Sequence, residues 1–380
     1  MSENRTVHRL FRRDQGFGGS QPSITDGEGR IRLSGLPHGS YLKLAQLYSR
    51  ILEAARVIEQ HSHALRLMPD HEIALVSRSA PEQAQLTQLE PSRLVPHLYY
   101  KREDQTVTRA YKVRGAVVGM AKALESGRSD RFLTVSTGNH ALAVLKAAEL
   151  LRPASVRIVV PRNTASRKLL KIKSAVANVQ RQGVQVELLP VGNTFDEARN
   201  WAIHQQETDN QAYYLDPYSD PWVVAGQGTL GLELVTQSAR LLEQSDYEEV
   251  AVIAPVGGGG LLTGTATAMR MASVWERAYR GINLNFLGMR LEDLDAELGD
   301  AIRVAQVAHA NQSMLNMLGV PFRTMDDEHM AEGVRLVKKD IGQQVEGASG
   351  GAVYPALSHP AYKPSEKRLV ISILSGANAQ

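Results

Sequence analysis

The 380-residue chain contains no cysteine. Disulfides, thiolate metal sites and thiol nucleophiles are therefore excluded. It has no apolar run near the roughly 20 residues that a membrane-spanning helix needs. Aromatic residues make up only 6%, which leaves few platforms for stacking nucleic-acid bases. An excess of one charge is also missing. Forty-three Lys and Arg stand against 40 Asp and Glu, a net charge of +3, too slight to argue for nucleic acid. The opening stretch MSENRTVHRLFRRDQGFGG lacks the apolar core of a secretory signal. Its four arginines are reminiscent of a transit peptide, but Glu3, Asp14 and the scarcity of Ser argue against one. The expectation is a cytoplasmic protein that binds neither membrane nor nucleic acid.

Hydrophobic residues at 43% and charged residues at 22% are ordinary for a globular protein. Residues 1–40, rich in Gly, Ser, Arg and Asp without a period, predict a flexible extension. Residues 41–64 space Leu, Ile and Val at helical intervals. From about residue 97 apolar strands alternate with helices: LYYKRE, RFLTVS, SVRIVVP, VQVELLP, VAVIAPV, LNFLGMR and LVISIL are the strands. Such alternation predicts an α/β fold with open, mostly parallel sheets covered on both faces.

In such sheets ligands sit at the carboxyl ends of strands, beside helix N-termini. Four strand-to-helix junctions carry suitable residues. Gly257, Gly258, Gly259 and Gly260 follow VAVIAPV. A turn needs fewer glycines, and four in a row can aim several backbone N–H groups at a phosphate. No Walker lysine follows, so a P-loop is disfavoured. Ser136, Thr137, Gly138, Asn139 and His140 open the helix after RFLTVS. They suit a carboxylate, and equally an ordinary helix cap. Lys112, in AYKVRGA, is by itself most simply a solvated charge. Ser375, in SGAN after LVISIL, is by itself a polar tail.

Taken together, these segments resemble one family. LYYKRED (98–104), AYKVRGA (110–116), STGNHA (136–141), DPWVVAGQGTLGLEL (220–234), PVGGGGLLTG (255–264) and ILSGAN (373–378) occur in the order found in fold-type II pyridoxal-phosphate enzymes. The likeness is to the threonine and serine dehydratases and serine racemase, and runs from about residue 90 to the end. It implies a tryptophan synthase β-like fold with pyridoxal 5′-phosphate between two domains, and a homodimer or homotetramer. The implied domains are 41–132 with 214–380 for the large one and 133–213 for the small one.

The resemblance also implies roles. Lys112 would carry the cofactor and act as base at Cα. Asn139 would hydrogen-bond the ring 3′-oxygen. Residues 136–140 would hold the substrate carboxylate, Gly257 to Gly260 the phosphate, and Ser375 the pyridine nitrogen. Glu346, in VEGASGGA, would lie near the substrate amine and hydroxyl. A hydroxyl opposite the nitrogen leaves the ring a weaker electron sink, which favours β-elimination over transamination. The implied reaction is deamination of a hydroxy-amino acid to a 2-oxo acid and ammonia. The alternative is β-replacement, or a lyase acting on a modified amino acid such as diaminopropionate or a phosphorylated or acidic hydroxy-amino acid.

Several positions depart from the family pattern. Ala110 replaces Ser and Tyr111 replaces Phe. Thr137 stands where racemases have Ser, which puts racemisation in doubt. Asp216-Pro217-Tyr218 replaces a His-Pro-aromatic segment. Arg290 stands at a glutamate that ligates a cation in some members, and an arginine cannot ligate one. No metal is expected there, and Arg290 becomes a candidate for binding an extra anionic group on the substrate. Biosynthetic threonine dehydratases carry a further C-terminal regulatory domain, so isoleucine feedback of that kind is not expected. The family does not account for the first 90 or so residues.

Two other classes compete. Gly226-Gln227-Gly228-Thr229-Leu230-Gly231 matches GxGxxG, the mark of a dinucleotide-binding oxidoreductase if a strand precedes it. A fold of this kind can also survive as a non-catalytic scaffold. Gly347 to Gly351 matches GxSxG, but no Asp follows Ser349, so the acid-then-histidine order of a hydrolase cannot be built.

Overall fold

A computed structural model describes residues 38–66, 85–208 and 212–378. The expected flexible extension therefore lies outside the described residues, apart from its last few positions. The chain divides into 1–41 and a unit spanning 42–380, and the account below concerns the second. Two sheets organise it. The larger has six strands, β1 (Leu89–Pro91), β2 (Leu98–Lys101), β7 (Glu249–Pro255), β8 (Asn283–Leu291), β9 (Phe322–Met325) and β10 (Arg368–Ile373), in the order β1-β2-β10-β7-β8-β9. All its pairings are parallel except β1 with β2. The smaller has β3 (Arg131–Val135), β4 (Ser155–Val160), β5 (Gln185–Pro190) and β6 (Ala212–Tyr214), in the all-parallel order β5-β4-β3-β6.

The sequence explains this arrangement. From its second residue to its last, β7 is buried, as a central strand covered on both faces must be. The expected helix at 41–64 is α1 (His38–Leu65), whose Leu47, Ile51, Ala54, Val57 and Ile58 repeat at helical spacing and join the core. That core also takes in α2 (Lys112–Glu125), α3 (Asn139–Leu151) and α6 (Pro221–Glu243). Asp220 caps α6 by accepting from the N–H groups of Trp222 and Val223, with Pro221 at the first helical position. Among the described residues no helix is long and apolar enough to cross a membrane.

The GxGxxG stretch lies wholly inside α6, not at a strand-to-helix turn. Its glycines serve close packing. A methyl on Gly226 would sit 2.7 Å from the Arg114 carbonyl and the Gly115 Cα, and one on Gly231 would sit 2.5 Å from the Thr265 carbonyl. The dinucleotide reading loses its structural basis, because the pyrophosphate turn it needs is absent.

A buried ion network binds α2 to its surroundings. Arg114, fully buried, donates to both oxygens of Glu103 (2.8 and 2.7 Å) and of Glu233 (2.7 and 3.1 Å). Lys101, equally buried, donates to Glu233 at 2.5 Å and to the Thr87 carbonyl at 2.8 Å. Burial alone would push the Glu233 carboxyl up, but Arg114 and Lys101 together hold it below its ordinary value. Two cations face two anions, so the network carries no net charge. Removing one member leaves buried charge unpaired, which costs far more than the intact network contributes. Arg114→Met should lower the unfolding free energy by about 3–5 kcal/mol in guanidinium titrations. A loss under about 1 kcal/mol would mean that water reaches Glu103 and Glu233 in the variant.

Candidate active site

The carboxyl ends of β2, β3, β7 and β10 each lead into one of the singled-out segments. Lys112 begins α2, and its flanking chain is pinned to the segment after β10. The Tyr111 N–H donates to the Ser375 carbonyl at 3.1 Å, and Ala377 N–H to the Arg109 carbonyl at 2.9 Å. Lys112 and Ser375 are thereby neighbours, although 263 positions separate them. The Lys112 ammonium donates to the Pro217 carbonyl at 2.9 Å. It lies 5.2 Å from the Tyr111 ring centroid and 4.8 Å from that of Tyr218. Burial lowers the Lys112 pKa to about 8, partly countered by the Asp216 carboxylate. A lysine held there is partly neutral near neutral pH, the form a nucleophile or base requires.

Asn139, at the start of α3, is drawn to the other end of the chain. Its amide donates to both Glu346 oxygens at 2.9 and 3.1 Å. Its carbonyl accepts from Asn378 Nδ2 at 2.8 Å, and Asn378 also donates to the Thr108 carbonyl. Glu346, immediately before α10 (Gly347–Ser358), accepts from the Asn378 N–H at 2.9 Å as well. Burial raises the Glu346 pKa against these three hydrogen bonds. Ser349 Oγ lies 3.3 Å from Ser375 Oγ and donates to the Gly376 carbonyl. Asn139, Glu346 and Ser375 therefore belong to one connected polar cluster beside Lys112.

The 136–140 loop adds smaller details. Ser136 Oγ accepts from the Gly138 N–H at 3.2 Å. His140 is buried, with one ring nitrogen 3.3 Å from the Leu215 carbonyl and Nδ1 without a partner among the described residues. Burial, then the charge of Lys112, lowers its pKa to about 3, so the ring is neutral. Thr137 and Gly138 are half-buried. Arg290 shares no hydrogen bond with this cluster among the described residues. Its guanidinium donates to the Val304 and Ala305 carbonyls at 3.3 and 3.0 Å. It braces the segment that packs on the glycine loop, since a methyl on Gly257 would sit 3.3 Å from both Ile302 and Val304.

The glycine loop joins β7 to α7 (Gly260–Ala272). Gly259 has φ +89°, which a side chain rarely tolerates. A methyl on Gly258 would collide with the Tyr218 ring. The N–H groups of Gly257, Gly258 and Gly259 donate to nothing among the described residues. In the first turn of α7, Thr263 Oγ1 is buried and without a partner. Free N–H donors at a helix N-terminus, backed by glycines that no side chain can obstruct, fit a dianionic phosphate.

Sequence reasoning passed over one residue that shapes this loop. Asn311, on α8 (His309–Met317), donates from a single amide to the Tyr218 carbonyl at 2.7 Å and to that of Gly258 at 2.8 Å. It fastens Tyr218 to the glycine loop. Asn378 likewise gains its place only from tertiary contacts, and Ser349, considered above only as a hydrolase nucleophile, instead joins Ser375 and Gly376.

The family model for pyridoxal-phosphate dependent enzymes matches residues 81–376. The chain belongs to that family. Pyridoxal phosphate is accordingly its cofactor, and the lysine and the free N–H donors described above fit the group. Among family members, the L-threonine ammonia-lyase of Thermotoga maritima is 30% identical over 285 residues, 72% of this chain and 66% of that protein. A biosynthetic L-threonine dehydratase of Burkholderia multivorans is 27% identical over 314 residues, 77% of this chain and 57% of its own length. The chain thus spans less than two thirds of these curated relatives. In three dimensions the processed form of threonine deaminase isoform 2 from Solanum lycopersicum superposes with TM-score 0.65 at 24% identity, covering 96% of this chain and 93% of that one. At that identity the likeness concerns the fold.

Two predictions follow from the geometry. Asp216→Asn removes the carboxylate that stabilises the Lys112 ammonium, so the Lys112 midpoint should drop below about 8. The pH dependence of Lys112 acetylation in cofactor-free protein, read by peptide mass spectrometry, measures it. An unmoved midpoint would mean that Arg199, 3.5 Å from Asp216, already cancels that charge. Gly258→Ala drives a methyl into Tyr218 and should weaken pyridoxal-phosphate binding by at least about tenfold in a fluorescence titration. Unchanged affinity would show that Tyr218 can swing clear.

Proposed function

We propose that this chain catalyses β-elimination and deamination of a hydroxy-amino acid, releasing a 2-oxo acid and ammonia. The observation that carries the reading is the convergence of Lys112, the Asn139–Glu346–Asn378 cluster, Ser375 and the glycine loop at the ends of four strands. Kinship with threonine ammonia-lyases and dehydratases supports the same reaction class.

Each side chain has a task in this reading. Pyridoxal phosphate, when bound, supplies the electron withdrawal that loosens bonds at the substrate Cα. Gly257 to Gly260 would hold its phosphate, and Ser375 would offer a hydroxyl to its ring nitrogen. Lys112 carries the cofactor and moves the Cα proton, a task suited to an amine with pKa near 8. Ser136, Thr137, Gly138, Asn139 and His140 receive the substrate carboxylate at the start of α3. Glu346 lies where it can orient the amine or the leaving oxygen, held there by Asn139 and the Asn378 N–H. Neutral His140 adds no charge that would compete for the carboxylate.

The reading includes a large domain of 41–132 with 214–380, a small domain of 133–213, a cytoplasmic location and a homodimer or homotetramer. β-Replacement on a modified amino acid is the second reading. It is favoured by Tyr111 and Asp216, which place polar groups close to Lys112.

Purified protein with pyridoxal phosphate should show a visible absorption band that Lys112→Ala abolishes. L-Threonine or L-serine should then yield 2-oxo acid and ammonia in equal amounts. Glu346→Gln should lower kcat by at least about tenfold with the band intact. A band with no ammonia from any β-hydroxy-amino acid would overturn elimination in favour of replacement.

A further inference from the structure

Tyr111 and Tyr218 face the same lysine from two different segments. Lys112 Nζ lies 5.2 Å from one ring centroid and 4.8 Å from the other. Both rings are held by their backbones. The Tyr111 N–H is fixed on the Ser375 carbonyl. The Tyr218 N–H donates to Asp216 Oδ1 at 2.8 Å, and its carbonyl accepts from Asn311. Yet neither phenol hydroxyl has a hydrogen-bond partner among the described residues. Both tyrosines are half-buried. By contrast, Tyr100, Tyr213 and Tyr279 all spend their hydroxyls on Asp or Ser side chains.

The surrounding charges fix the form of these hydroxyls. Burial, then the neighbouring Tyr218 and Glu346, raises the Tyr111 pKa, and burial with Asp216 raises that of Tyr218 against the pull of Arg199. Both remain protonated donors. Asp216 is already paired with Arg199 at 3.5 Å, and Asp300 with Lys168 at 2.6 Å. Those cations temper the two aspartates, while Glu346 beside Tyr111 meets the amide donors of Asn139 and Asn378. A site with two uncommitted donors gains most from a ligand that supplies an acceptor, and loses when an apolar group leaves them unpaired.

We propose that Tyr111 and Tyr218 read a second oxygen on the γ-carbon of the substrate side chain, so that the preferred substrate is a β-hydroxy-amino acid bearing a γ-hydroxyl or γ-carboxylate instead of the methyl of threonine. This rests on the elimination reading above and narrows it to a substrate class.

Calorimetry on the holoenzyme with non-eliminable ligands tests it. L-2-Aminobutyrate, L-homoserine and L-aspartate share one carbon skeleton, and only the last two carry γ-oxygen. At least one of them should bind about tenfold tighter than L-2-aminobutyrate, one good hydrogen bond's worth. Which one does so separates hydroxyl from carboxylate. In Tyr111→Phe and Tyr218→Phe that affinity ratio should fall towards one. A ratio near one in the unmodified enzyme, or a ratio that both variants preserve, would overturn the proposal. Ammonia release from β-hydroxy-amino acids, followed in parallel, reports on the elimination reading separately. Elimination without the binding preference sinks only the γ-oxygen assignment, and the preference without elimination sinks only the reaction.

Discussion

Much of the geometry around Lys112 depends on Arg114. Only Val113 separates them, so whatever fixes the guanidinium fixes the start of α2. Arg114 reaches Glu103 just after β2 and Glu233 on α6, and Lys101 on β2 joins the network at Glu233. A buried network of this kind contributes little net stability compared with an apolar core of the same volume. Its planar fork of donors instead accepts only one arrangement of three segments. The lysine is thereby positioned by a cluster that never touches a ligand. The same requirement explains why α2 and α6 approach so closely: Gly115 and Gly226 let the two backbones meet beside the Arg114 carbonyl.

A second set of constraints closes the chain on itself. The segment after β10 lies against the segment before α2, and Asn378 reaches Thr108 across 270 positions. Glu346 gathers Asn139 and Asn378 into the same cluster. These are long-range contacts with little local signal, and they convert four separate strand ends into one site. The α/β architecture made this possible, because parallel strands all deliver their carboxyl ends to one edge.

How much of this was legible beforehand follows from the range of each interaction. The alternation of strands and helices was readable because burial and period are local. The motif segments were readable because glycine and polar residues at strand ends have few other uses. What could not be read was pairing. GxGxxG looks the same whether its glycines cradle a pyrophosphate or admit a neighbouring helix, and only the position of Gly226 inside α6 separates the two. Arg290 is similar. Its charge suggests an anion, and what the sequence does not show is that Nη2 also donates to two backbone carbonyls of the segment folded over the glycine loop. Short edge strands such as β1 and β6, three residues each, carry too few positions to show a period.

The polar groups around Lys112 share an electrostatic character. Burial pushes Lys112 towards the neutral amine, His140 towards neutral imidazole, and Glu346 towards its protonated form. Tyr111 and Tyr218 stay protonated for the same reason. Low-dielectric surroundings penalise every isolated charge, so the site is poor in fixed charge and rich in donors. A zwitterionic substrate and a dianionic cofactor bring their own charges to such a place. Fixed protein dipoles, chiefly the free N–H groups of the glycine loop and the start of α3, then have no competing ions to outweigh. The departures at Tyr111 and Asp216 act within that regime: they change which groups can donate, and Asp216, paired with Arg199, still raises the Lys112 pKa against burial.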